Sequence, residues 1–90
     1  MDLTIICITH SRHKFLLRSK EYFYGAPFRV IYVDGSDSPC SSISQIDLNI
    51  EYYHLKKSST ERIYFAIAKV KTKYICFIGD DDYLHEAGLL

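Results

Sequence analysis

The chain has 90 residues, 11 basic against 11 acidic, with 48% hydrophobic and 24% charged residues. That length allows a single domain at most, and the cancelled charge excludes a nucleic-acid or membrane-surface partner recruited by net charge. No stretch approaches the roughly 18 apolar residues of a membrane-spanning helix, and Cys7, Cys40 and Cys76 form no metal-type pair, so they read as reduced thiols of a cytoplasmic protein.

Residues 3–9, "LTIICIT", form a continuous apolar and β-branched run. Such a run predicts a strand buried on both faces, as in parallel sheets. Asp2 stands where a secretory signal would be basic, and the apolar stretch is too short for one, so no leader is expected. Phe15, Leu16, Tyr22 and Phe23 fall at helical spacing over 13–24, with Ser11 as the expected N-cap and Gly25 and Pro27 as the stop.

A second strand is predicted over 28–33, "FRVIYV", running into "DGSDSP". Asp34-Gly35, the serines and Pro39 are turn chemistry, and 36–44 reads as a flexible surface connection with Cys40 open to solvent. "IEYYHL" at 50–55 alternates in polarity and predicts a shorter strand near an edge. Ser58 with Glu61 is a capping box, and Ile63, Ala66, Ile67 and Val70 mark one apolar face of the helix that follows. "YICFI" at 74–78 predicts a fourth, fully buried strand. "YLHEAGLL" after the acids predicts the start of a further helix.

The order β-α-β-loop-β-α-β predicts an α/β fold, a Rossmann-like and mainly parallel sheet of about four strands with helices on its faces. In such sheets ligands bind beyond the carboxyl ends of the strands, near the point where strand order reverses. Polar clusters follow three strands: Thr9 to Arg12, Asp34 to Asp37, and Asp80 to Asp82. All three are expected on one rim. Three adjacent carboxylates repel by about 4 kcal/mol per pair at the effective dielectric of a protein surface, a cost that a bound cation would offset. The same acids also suit a helix N-terminus, and Asp34 also suits an Asx turn with Gly35.

The ordered set "ITHSR", "IYVDGSDS", a helix beginning near Arg62, and "YICFIGDDDYL" resembles the nucleotide-binding half of an A-type glycosyltransferase fold, in particular the family 2-like enzymes. The resemblance spans almost all of the chain. It implies that Asp34 accepts a hydrogen bond from the nucleobase or ribose, that Thr9, His10 and Arg12 line the nucleotide pocket, and that Arg62 lies near the base or diphosphate. Asp80 would touch ribose or metal-bound water. Asp81 would ligate Mg²⁺ or Mn²⁺, with Asp82 supporting it. The implied ligand is a nucleotide-diphospho-sugar and the implied reaction is glycosyl transfer.

A complete domain of that family is more than twice this length. Residues 1–90 therefore read as a truncated half-domain without its catalytic base, inactive alone and prone to pair with a second copy through uncovered surface. The alternative is a non-catalytic Rossmann-like module that binds Mg²⁺ or a protein partner. A response-regulator-like module would carry its acid pair after the first strand, where this chain has Thr9-His10.

Overall fold

A computed structural model describes residues 2–78. The chain runs β1 (Leu3–Thr9), α1 (His13–Phe23), β2 (Arg29–Asp34), β3 (Ile46–Asp47), β4 (Ile50–His54), α2 (Ser59–Lys69) and β5 (Tyr74–Ile78). The strands form one sheet in the order β3-β4-β2-β1-β5. β1, β2, β4 and β5 are mutually parallel, and only the two-residue β3 is antiparallel, to β4. The chain steps outward from β1 to β2 and β4, then returns to the other side of β1 for β5. Strand order thus reverses at β1, and the expected α/β class and mainly parallel sheet are found.

Alternate residues of the apolar strands feed two separate cores, as a strand period of two requires. Ile5, Cys7, Val30, Tyr32, Ile50 and Tyr52 pack with Leu16 and Phe23 of α1 and with Cys40 and Ile43 of the β2–β3 loop. Ile6, Ile31 and Val33 pack with Ala66 of α2 on the opposite face. The Tyr32 hydroxyl is buried in the first core and is satisfied by Ser19 Oγ at 2.6 Å.

Several local expectations need correction. Ser11 is not the cap of α1. Arg12 holds that position and its side chain does not cap the helix, and Ser11 instead takes a left-handed conformation, φ 54°. The Ser36–Ser44 stretch is not a loose connection. Ser36, Cys40 and Ile43 are buried, and the Cys40 amide donates to the Tyr52 hydroxyl at 2.8 Å, so Cys40 is not solvent-borne.

The Ser58–Glu61 capping box is present, but the buried face of α2 lies about one residue away from the expected stripe. Arg62 and Ala66 are buried, whereas Ile67 is 40% exposed. β5 is the sheet edge among the described residues. Neither helix covers its outer part, and Tyr74, Ile75 and Phe77 are 59%, 39% and 51% exposed. Continuous apolarity here does not mean burial on both faces. The helix expected after the acid triplet lies outside the described residues.

Candidate functional site

β2 extends one residue further than the sequence suggests, so Asp34 is a strand residue rather than the first of the turn. Its register partners are Thr9 on one side and His54 on the other. Three strand ends therefore lie level along the carboxyl rim, and in-register partners in parallel strands share a face. Thr9 and Asp34 are both buried, and they stand beside the reversal of strand order.

The Asp34 carboxylate is completely buried and answered on both oxygens. Oδ1 accepts from the Ser36 amide at 3.0 Å and from the Ser36 hydroxyl. Oδ2 accepts from the Tyr52 hydroxyl at 2.7 Å and from His13 Nε2 at 3.0 Å. A carboxylate offers about four lone-pair positions, and all are used. Burial pushes the carboxyl up, but the hydrogen bonds from Ser36 and Tyr52, with the charge of His13 beside it, outweigh this and hold its pKa below the ordinary 3.8. Burial above all keeps the Tyr52 phenol protonated, with the Asp34 charge adding to the effect, so Tyr52 remains a donor.

The same network fixes the β1–α1 turn. The Ser11 amide donates to Ser36 Oγ at 2.6 Å, which anchors the strained Ser11 conformation to the Asp34 hub. His54 Nε2 lies 2.7 Å from the Ser36 carbonyl oxygen, so this exposed histidine also has a partner.

Arg62 approaches the rim from α2. It is only 7% exposed. Nη1 donates to the Thr9 carbonyl at 2.5 Å and more weakly to the Val33 carbonyl at 3.4 Å, and Nε donates to the Lys57 carbonyl at 3.1 Å. The Thr9 carbonyl also accepts from the Gly35 amide at 2.8 Å. A Cβ at residue 35 would lie 2.7 Å from Arg62 Cζ and Nε. Gly35 is therefore required by the close approach of the guanidinium, whose three backbone acceptors leave it little freedom to withdraw. Arg62 is therefore not the solvent-facing helix residue that arginine usually is: its Nε and Nη1 are engaged by backbone carbonyls.

An open cavity of about 560 Å³ lies between the β1–α1 turn and the β2–β3 loop, lined by Ser11, Arg12, His13, Lys14, Phe15, Ser36, Asp37 and Ser38. Arg12 is exposed and borders it; His10 is exposed and is not among its lining residues. The cavity joins cationic side chains, hydroxyls and one aromatic ring at the start of an 11-residue helix, a setting that suits an anionic polar ligand. The Thr9 hydroxyl is buried and has no hydrogen-bond partner among the described residues. Such a group costs about 1–3 kcal/mol, and unsatisfied polar atoms of this kind often mark functional sites.

Asp80, Asp81 and Asp82 lie outside the described residues. Among the described residues no three His, Cys, Asp or Glu side chains group as a metal centre. Sequence reasoning did not find His13, Ser36 or Tyr52. Tyr52 had a weak signal in its strand position two residues before His54, the register partner of Asp34. No protein-family model matches the chain, and no curated protein is significantly similar to it.

Two outcomes are expected of this geometry. Gly35→Ala destabilises the protein by about 1–3 kcal/mol in urea unfolding, the range of overpacked sites, and the loss shrinks in an Arg62→Met background because the two residues are coupled; additive losses would contradict the contact. Asp34→Asn lowers stability by on the order of 3 kcal/mol at neutral pH. The native carboxyl pKa is depressed, so the contribution of Asp34 is present above the unfolded value and is lost as pH falls through the folded one. The wild-type and Asp34→Asn unfolding free energies should therefore converge as pH falls below 3.8, and a gap independent of pH would contradict an ionised hub.

Proposed function

We propose that the chain is a nucleotide-diphospho-sugar-binding module of a glycosyltransferase. The observation that carries this reading is the Thr9–Asp34 register pair on the carboxyl rim, with the Thr9 hydroxyl lacking a partner among the described residues. Ligands of open parallel sheets bind at this position, and the adjoining cavity supplies Arg12 and Lys14 for the negative charge of a diphosphate.

In this reading Thr9 and Asp34 meet the nucleoside, and Arg12, with His10 beside it in sequence, attends the polar edge of the pocket. Arg62 contributes by holding the Thr9 and Val33 carbonyls in place rather than by touching the ligand. Asp80 attends the ribose, and Asp81 and Asp82 hold Mg²⁺ or Mn²⁺. The cation supplies neutralisation of the nucleoside diphosphate as a leaving group. No residue of this chain is assigned as the base that activates the acceptor hydroxyl.

Calorimetric titration with UDP, GDP and CDP, with and without Mn²⁺, tests the reading. Metal-dependent binding of at least one nucleotide is expected, weakened tenfold or more in Asp81→Ala, a loss equivalent to about 1.4 kcal/mol. Binding indifferent to both Mn²⁺ and Asp81 would remove the aspartate assignment, and no binding at all would remove the nucleotide.

A second reading, a protein-interaction role, is favoured by one observation: the exposed apolar side chains of edge strand β5. Such edges pair with other strands unless they are covered or charged. Sedimentation of the 90-residue chain is expected to show a concentration-dependent dimer that Ile75→Lys or Phe77→Lys disperses. A monomer at every concentration would set this reading aside.

A further inference from the structure

The four donors on Asp34 are not equally fixed. Tyr52 is buried in the first core, and Ser36, although it lines the cavity, is only 4% exposed and is held by its two bonds to Oδ1 and by the Ser11 amide. His13 is different: its side chain is 36% exposed, and it lines the open cavity. A nucleobase that donates an N–H to Asp34 needs an acceptor position, and every position is filled. Of the donors that reach the cavity, the imidazole is the exposed one and makes a single bond to the carboxylate, so it is the donor placed to yield.

We propose that His13 is an internal competitor for the nucleobase: its Nε2–H occupies on Asp34 Oδ2 the acceptor position that a base N–H takes, so binding requires the imidazole to swing away. This rests on the nucleotide-binding reading above. His13 is a specificity-determining residue here and is not a contact to the reacting atoms. A ligand without an N–H donor does not repay the lost His13–Asp34 bond, so the competition favours bases that offer one.

The exchange has a pH signature. Imidazoles change charge between about pH 5 and 8, and a charged donor holds a carboxylate more strongly than a neutral one. The groups around the imidazole are Asp34 of β2, Tyr52 of β4, Asp37 of the loop, and Arg12 and Lys14 beside it, with His54 reaching the same loop through Ser36. Asp34 stays ionised throughout this range. His54 is the other imidazole of the cluster, and its contribution is separated by mutation.

The test is calorimetric titration of UDP and of GDP between pH 5.5 and 8 with the wild type, His13→Ala, His13→Gln and His54→Gln. Wild-type affinity should rise several-fold with pH. His13→Ala should bind about tenfold more tightly than the wild type at pH 6 and lose the pH dependence. His13→Gln keeps a neutral donor and should show wild-type-like affinity at pH 8 without the pH slope, and His54→Gln should retain the slope. Weaker binding by His13→Ala would make His13 a direct ligand contact and overturn the proposal, as would binding that the mutation leaves unchanged. Absence of nucleotide binding by all four proteins overturns the nucleotide reading itself and the competition with it. Binding by all four with identical pH profiles overturns the competition alone.

Discussion

A fully buried carboxylate at the end of a strand is the constraint around which this rim is arranged. Removing an ion from water costs several kcal/mol even after the protein relaxes, and Asp34 is answered by hydrogen bonds rather than by a permanent cation. Those bonds come from the start of α1, from the turn after β2 and from β4. Ser36 passes the constraint on, because its hydroxyl both donates to Asp34 and accepts from the Ser11 amide. One carboxylate thus fixes the two loops that form the cavity walls. The left-handed Ser11, a conformation that costs about 1–3 kcal/mol, is retained because this network over-determines it.

Arg62 makes the complementary arrangement from the other helix. α1 and α2 contribute to different cores on opposite faces, so an anion and a cation bracket the end of β2 from the two sides. The guanidinium spans carbonyls of β1, β2 and the β4–α2 connection, a role suited to its planar fork of donors. Gly35 lies between the two ions because the guanidinium occupies the space of its Cβ. The "DGS" turn is therefore more than a reversal of chain direction. Its aspartate collects donors, its glycine admits the arginine, and its serine ties in the β1–α1 turn.

This division explains what was legible in the sequence. Apolar runs ending in polar residues gave β1, β2, β4 and β5, their parallel pairing and the level of Thr9 with Asp34, though not the short β3, because these depend on local pattern and on the general geometry of α/β sheets. The capping box gave the start of α2 for the same reason. The burial of Arg62 was not legible, since arginine is mostly exposed and the stripe of Ile63, Ala66, Ile67 and Val70 suggested a different face. Its destination is a set of backbone carbonyls, which no residue type announces. His13 and Tyr52 were also missed: they meet at Asp34 only through tertiary packing, from positions 21 and 18 residues away in sequence. In the serine-rich loop, Cys40 and Ile43 carried the one available signal, two apolar residues at a spacing of three that later proved to enter the core.

The two sides of β1 are built differently, and that difference bears on where a ligand would lie. On the β2 side, Asp34, Ser36 and Arg62 are each held by several hydrogen bonds. On the β5 side the described strand is apolar, partly exposed and, among the described residues, paired with β1 alone. Cys7 pairs with Ile78, so the described part of β5 stops two rungs short of the Thr9–Asp34 level, about 7 Å along the sheet. The acidic triplet begins two residues after Ile78 in sequence. The nucleotide-sugar reading needs a preorganised wall to orient the nucleoside and an acidic wall to hold the cation on its diphosphate. The acids proposed for the second lie outside the described residues; the hydrogen-bonded groups around Asp34 are what the described residues offer for the first.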